Sequence, residues 1–93
     1  MDQTIKIGNT SKGQRVWLQG LTALGWPIGT KYSVHYTPTA IVVIQATYGK
    51  RAVSKGKGGI IDLVGKRVTQ WAKGATSATV VHTTGMIEIE VAG

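Results

Sequence analysis

The stretch KGQRVWLQGLTALGWPIGT, Lys12–Thr30, is written again as KGGIIDLVGKRVTQWAKGA, Lys57–Ala75. Lys12-Gly13 returns as Lys57-Gly58. Leu18, Gly20, Trp26 and Gly29 return as Leu63, Gly65, Trp71 and Gly74, each 45 residues later. Carried on at that step without a gap, Thr39 and Ile44 meet Thr84 and Ile89, which makes 8 identities over the 35 pairs from Lys12/Lys57 to Ala46/Val91. Unrelated chains of ordinary composition give roughly two or three over such a span. Apolar character also persists at Val16/Ile61, Ala23/Val68, Ile41/Met86, Val42/Ile87 and Ala46/Val91. A fixed period sets the architecture before any motif is read. Two copies are too few for a solenoid. The expectation is one compact domain over residues 1–93, made of repeats 4–48 and 49–93 and closed about a pseudo-twofold axis.

A chain of 93 residues builds one small core. With no Phe, aliphatic residues and three tryptophans must supply it, and with no Cys it has no disulfide, thiolate zinc site or thiol nucleophile. No apolar run reaches the length of a membrane span, and Met1-Asp2-Gln3-Thr4 lacks the layout of a signal peptide. A soluble, cytoplasmic protein with no membrane partner is expected.

Each repeat opens on a short alternating stretch, Thr4–Ile7 or Lys50–Val53. A Gly/Ser/Lys-rich loop follows, Gly8–Gln14 or Ser54–Gly59, expected to be flexible. Second strands are expected at Arg15–Leu18 and Ile60–Leu63, then a turn or two of helix over Gly20–Leu24 and Gly65–Gln70, the first stopped by Pro27. A hairpin closes each copy. Lys31–Tyr36 returns as Ala40–Thr47, and Ser77–His82 returns as Met86–Val91. In the last strand Ile87, Ile89 and Val91 alternate with Glu88 and Glu90, the period of a half-buried strand. The constant step then turns Val42, Ile44 and Ala46 inward and leaves Ile41 and Val43 on an apolar outer face, a candidate homodimer surface. The fold class is therefore mainly β with two short helices.

Eleven Lys and Arg oppose four Asp and Glu, and seven of the eleven lie between Lys50 and Lys73 with Asp62 as the only acid among them. A basic cluster this local points to a polyanion. Lys50, Arg51, Lys55, Lys57, Lys66 and Arg67 form the candidate nucleic-acid-binding set, with Lys12 and Arg15 as its weaker counterpart in the first copy. Side chains of this kind among glycines contact phosphates while backbone amides add donors. DNA is preferred to RNA as the partner. A protein partner is the competing reading.

The order of strand, basic loop, strand, short helix and hairpin resembles the AbrB/MazE-type swapped-hairpin superfamily. Within it the chain looks most like the SymE group of small toxin-related proteins. The similarity is carried by KRAVSKGKGGIIDLVGKRV, then Trp71, AKGATSATVV and TGMIEIEV in the second copy. In the first it is carried by VWLQG, LTALGWPIGT, KYSVHY and AIVVIQ. Departures from the group's pattern are Gly58-Gly59 in place of a proline, Arg67-Val68 and Thr22-Ala23 in place of Trp-Leu, and missing acidic helix residues. The resemblance implies a pseudo-twofold swapped-hairpin barrel, here from an internal duplication. It also implies DNA binding by basic residues of loops and first strands, and for the SymE group a toxin role through RNA.

Trp26 and Trp71, at matched positions, are expected in the core, and Trp17 on an exposed strand face where it can stack on a base. His35 and His82 have no neighbouring ligand at metal spacing, and Lys57-Gly58-Gly59 lacks the spacing of a phosphate-binding loop. No metal, cofactor or catalytic residue is assigned. A ribonuclease could use His82 with Glu88 as acid and base. Three functions compete: a small DNA-binding regulator or nucleoid-type protein, a SymE-like toxin acting on RNA, and a mobile-element-encoded inhibitor that binds a protein.

Overall fold

Period-two alternation carries half the chain into strands. The computed structural model describes residues 2–92. Its strands are β1 (Asp2–Thr10), β2 (Gly13–Leu18), β3 (Lys31–Tyr36), β4 (Ala40–Gln45), β5 (Arg51–Ala52), β6 (Ile61–Val64), β7 (Ser77–Thr83) and β8 (Met86–Val91). A 3-10 turn, Leu21–Leu24, follows β2, and a helix, α1 (Lys66–Ala72), follows β6. Two strands, a helical turn and two strands thus occur in that order twice.

Only the second of the two expected helices is α-helical. Gly20 and Gly25, both left-handed, bracket four residues, and Pro27 bars any extension. Lys66–Ala72 contains neither Gly nor Pro and completes seven residues. No described helix is long and apolar enough to cross a membrane.

Every strand pairing is antiparallel, in the order β5-β3-β4-β8-β7-β1-β2-β6. The two ends of this sheet approach each other through a single pair, Ser54 with Ile60, so the sheet curls into a nearly closed barrel. Beyond that pair β5 and β6 do not pair, and a slot is left between them. The halves are interleaved: β1 lies on β7, β5 on β3, β2 on β6 and β4 on β8.

The hairpin turns clasp the opposite half. Gln14 N–H donates to Thr69 Oγ1 at 2.8 Å, and the Gln14 carbonyl accepts from Gly65 N–H at 3.2 Å. The buried Gln14 side chain donates to the Ala75 carbonyl and accepts from Gly74 N–H, both at 3.0 Å. In the other half the carbonyls of Lys57, Gly58 and Gly59 accept from Gly20, Thr22 and Leu21 N–H at 3.0, 2.8 and 3.3 Å. Neither loop is the flexible segment expected. Gly8–Gln14 is mostly strand around a tight turn, in which Thr10 Oγ1 donates to the Gly13 carbonyl at 2.8 Å. Ser54–Gly59 is tied down by its carbonyls.

The interior is filled by Val16, Leu18, Leu21, Trp26, Ile61, Leu63, Val68 and Trp71 around the central ladder. Ile87 and Ile89 are buried and Glu90 is exposed, as the alternation requires, while Glu88 is half-buried. In β4 the expected faces are inverted. Ile41 and Val43 are 0% exposed, whereas Val42 is half-buried and Ile44 is 37% exposed. Ile41 and Val43 therefore offer no dimer surface.

The cause is a one-residue slip in the assumed step. β4 and β8 are 46 residues apart at both ends (40 to 86, 45 to 91), as are the starts of β3 and β7 (31 to 77). The second half carries one more residue between Trp71 and its hairpin than the first carries after Trp26. At the corrected spacing Val34, Thr37 and Ile41 meet Val80, Thr83 and Ile87 as identities. A one-residue shift exchanges the faces of a strand.

Urea unfolding checks this register. Ile41→Ala should cost about 2–5 kcal/mol, and Ile44→Ala roughly 0.5 kcal/mol or less.

Candidate nucleic-acid interface

Residues directly opposite each other in a ladder share a face of the sheet. Tyr36 lies opposite Ile41 and Val34 opposite Val43, so the register that buries β4 also turns Tyr32, Val34 and Tyr36 of β3 inward. Across β3 on the other side, Tyr32 lies opposite Arg51. Ile5 faces Ala78 at the corresponding place in the other half. Arg51 thus occupies an inward-facing position where the first half carries an isoleucine. Because β5 ends at the slot, the guanidinium is exposed there.

A groove of about 530 Å³ results. Tyr32, Val34 and Tyr36 form its floor, and Lys50, Arg51, Lys66 and Arg67 its rim. Tyr48 and Val64 stand at its mouth, 81% and 43% exposed. No acidic side chain lines it. Arg67 lies over the Tyr36 ring, its guanidinium carbon 5.5 Å from the centroid. A second cavity of about 400 Å³ adjoins, sharing Tyr36 and Arg67 and adding Gln70, Trp71 and Lys73. Lys73 holds a left-handed backbone at the end of α1 (φ 51°), a conformation a lysine adopts at a cost.

The Tyr48 loop is positioned by backbone contact. Gly49 rests on the backbone of Tyr32, where a Cβ would overlap the Tyr32 carbonyl, and its N–H donates to the Ala46 carbonyl at 2.9 Å. Ala46 N–H donates to the Lys31 carbonyl at 2.9 Å.

Of the eight basic residues singled out in the sequence, four converge here: Lys50, Arg51, Lys66 and Arg67. Lys55 and Lys57 stand on the clasped Ser54–Gly59 loop, outside the groove lining, and Lys12 stands on the β1–β2 turn. Arg15 is engaged elsewhere. Its Nε and Nη2 bind Asp62 Oδ1 and Oδ2 at 2.8 and 2.9 Å, and its guanidinium stacks on Trp17, 4.1 Å from the ring centroid. Trp17 is exposed with that cation on it, while Trp26 and Trp71 are core residues. The tyrosines and Lys73 went unselected in the sequence. For Tyr32 and Tyr36 the signal was the alternation Tyr32-Val34-Tyr36, but nothing local says that this inward face meets an opening.

Burial pushes the phenols of Tyr32 and Tyr36 up; Arg51 pulls both part of the way back, and Arg67 also acts on Tyr36. Both phenols therefore stay protonated at neutral pH, and Tyr36 keeps an O–H that can donate. His82 Nε2 accepts from Trp26 Nε1–H at 3.3 Å. His82 lies opposite Ile87, whereas Glu88 lies opposite Val81. The two are on opposite faces of the sheet, so an acid–base pair of His82 and Glu88 does not form. Among the described residues no cluster of three or more His, Asp or Glu side chains is arranged to hold a metal ion. No protein-family model, curated protein or solved structure matches the chain.

The raised phenols have a consequence for stability. An unfolded tyrosine titrates near pH 10. A raised folded value means stability is fully present below that pH and is lost as pH climbs through the folded value. The melting temperature should decline above about pH 10, and Tyr32→Phe should flatten the decline.

Proposed function

We propose that this protein binds nucleic acid through the tyrosine-floored groove, as a small DNA-binding regulator or nucleoid-type protein. The observation that carries this reading is the convergence of Lys50, Arg51, Lys66 and Arg67 around one groove with no acidic lining residue. Lys and Arg at such a rim reach phosphate oxygens, Tyr36 O–H supplies a neutral donor, and the guanidinium of Arg51 or Arg67 takes a phosphate in two-point fashion. The net charge of +7 adds long-range attraction to a polyanion.

The same reading covers the architecture. We take the barrel as a swapped-hairpin body that arose by internal duplication. It is supported by the recurring order of elements, by the exchange of β1 and β5 onto the opposite half, and by the paired clasps at Gln14 and at Lys57–Gly59. The AbrB-like resemblance agrees with both parts. One copy then retains its fully paired first hairpin, and the other has opened to make the groove.

Fluorescence anisotropy at several salt concentrations tests the function. Four neutralised phosphates give a slope of log K on log salt of roughly −3 to −4 for duplex DNA and about −3 for a single strand. Arg51→Ala with Arg67→Ala should shallow the slope by about one to two units. Lys55→Ala with Lys57→Ala should change it less. Absence of binding at low salt, together with a stoichiometric protein complex, would overturn the reading in favour of a protein-binding inhibitor.

A further inference from the structure

We infer that the groove takes a single nucleic-acid strand in preference to a duplex, with bases stacked on Tyr48 and on the Tyr36–Arg67 pair. The inference rests on the nucleic-acid reading above and goes beyond it in naming the form of the partner.

Three observations carry it. First, the anionic partner must enter a concavity. Arg51 reaches the groove from an inward-facing strand position, opposite the buried Tyr32. A duplex presents its phosphates on a convex, regularly spaced surface and meets Lys and Arg on projecting elements. A single strand bends into a cleft and brings its phosphates to charges lying on both walls.

Second, apolar and aromatic surface is exposed beside the charges. Tyr48 is 81% exposed, packs into no core, and is held at the mouth by the Gly49–Tyr32 backbone contact. Val64 stands across the slot, 43% exposed. Phosphates alone give no reason for an aromatic ring in that place, whereas unpaired bases have free faces that stack on it. Tyr36 already carries Arg67 over its ring, the arrangement that presents a flat guanidinium to a base.

Third, the track continues. The adjoining cavity shares Tyr36 and Arg67 and ends at Gln70 and Lys73. Lys50, Arg51 and Lys66 line the first cavity, Arg67 lines both, and Lys73 lines the second. That succession matches a backbone laid along a groove with bases turned to its floor.

The test compares two labelled strands of about twelve nucleotides, within the span covered by such grooves. One is thymidine and the other is abasic with the same phosphates; a duplex of equal length is the third probe. The thymidine strand should bind at least about tenfold tighter than the abasic strand, since each stacked base contributes about 1–3 kcal/mol. It should also bind tighter than the duplex. Tyr48→Ala should weaken thymidine-strand binding by roughly 5- to 150-fold and leave abasic-strand binding unchanged, while Tyr48→Phe keeps wild-type affinity. Thermal melting of each variant confirms folding, which this exposed ring does not support. Equal binding of the thymidine and abasic strands, tighter binding of the duplex, or indifference to Tyr48→Ala overturns the stacked single strand but leaves the basic-groove reading standing. Failure of all three probes to bind at low salt removes both.

Discussion

The ladder between β4 and β8 decides which way the two hairpins face. Ile41 lies opposite Ile89 and Val43 opposite Ile87, and all four are fully buried. This is where the last strand of one half meets the last strand of the other, so the apolar side chains at this seam close the middle of the barrel. The register passes outward from there. Val43 sets Val34, Ile41 sets Tyr36, and Tyr32 then faces Arg51 across the next pairing. A slip by one residue at the seam would bury Val42 and Ile44, move Tyr36 to the outer surface and dissolve the groove floor. The site is a consequence of the core.

The two halves use one plan unequally. In the first, β1 and β2 pair from Ile7–Val16 to Thr10–Gly13, and Ile5 and Ile7 pack against the interior. In the second, one pair, Ser54 with Ile60, holds the corresponding strands together. β5 is reduced to two residues, and Arg51 stands where apolar packing would close the wall. A charged residue at an inward position weakens closure unless something outside uses it. The clasps keep the barrel whole despite the gap. Gln14 ties the β1–β2 turn to α1, and the carbonyls of Lys57–Gly59 tie the other turn to Leu21 and its neighbours. The loop that reads as loose and phosphate-seeking has its carbonyls committed to the fold, and the proposed groove lies beside it.

Much of this was legible in the residues. The duplicated spacing from Lys12 to Thr30 announced matched elements, and the alternation of Met86–Val91 gave the last strand its bounds and faces. The charge bias singled out eight basic residues, of which Lys50, Arg51, Lys66 and Arg67 line one groove. What was hidden came from geometry at longer range. The extra residue falls just past the Gly29/Gly74 match, and the coincidences Thr39/Thr84 and Ile44/Ile89 at the 45-residue step hide that the hairpins follow at 46. Arg15 looks like a free cation until Asp62 arrives from a strand paired across the sheet. Tyr32 and Tyr36 read as ordinary core alternation, since only the missing β5–β6 pairing opens a slot above them.

On the proposed function, one groove, bounded by β3, β5 and the start of α1, receives the nucleic acid. Backbone amide chemical shifts of the isotope-labelled protein, followed through titration with a short thymidine strand at low salt, test this. Perturbations should group at Tyr32–Tyr36, Tyr48–Arg51 and Val64–Arg67, fading toward Lys73, with the β4–β8 outer face silent. Perturbations centred on Lys55–Lys57 or on Val42, Ile44 and Met86, with the tyrosine groove unchanged, would contradict it.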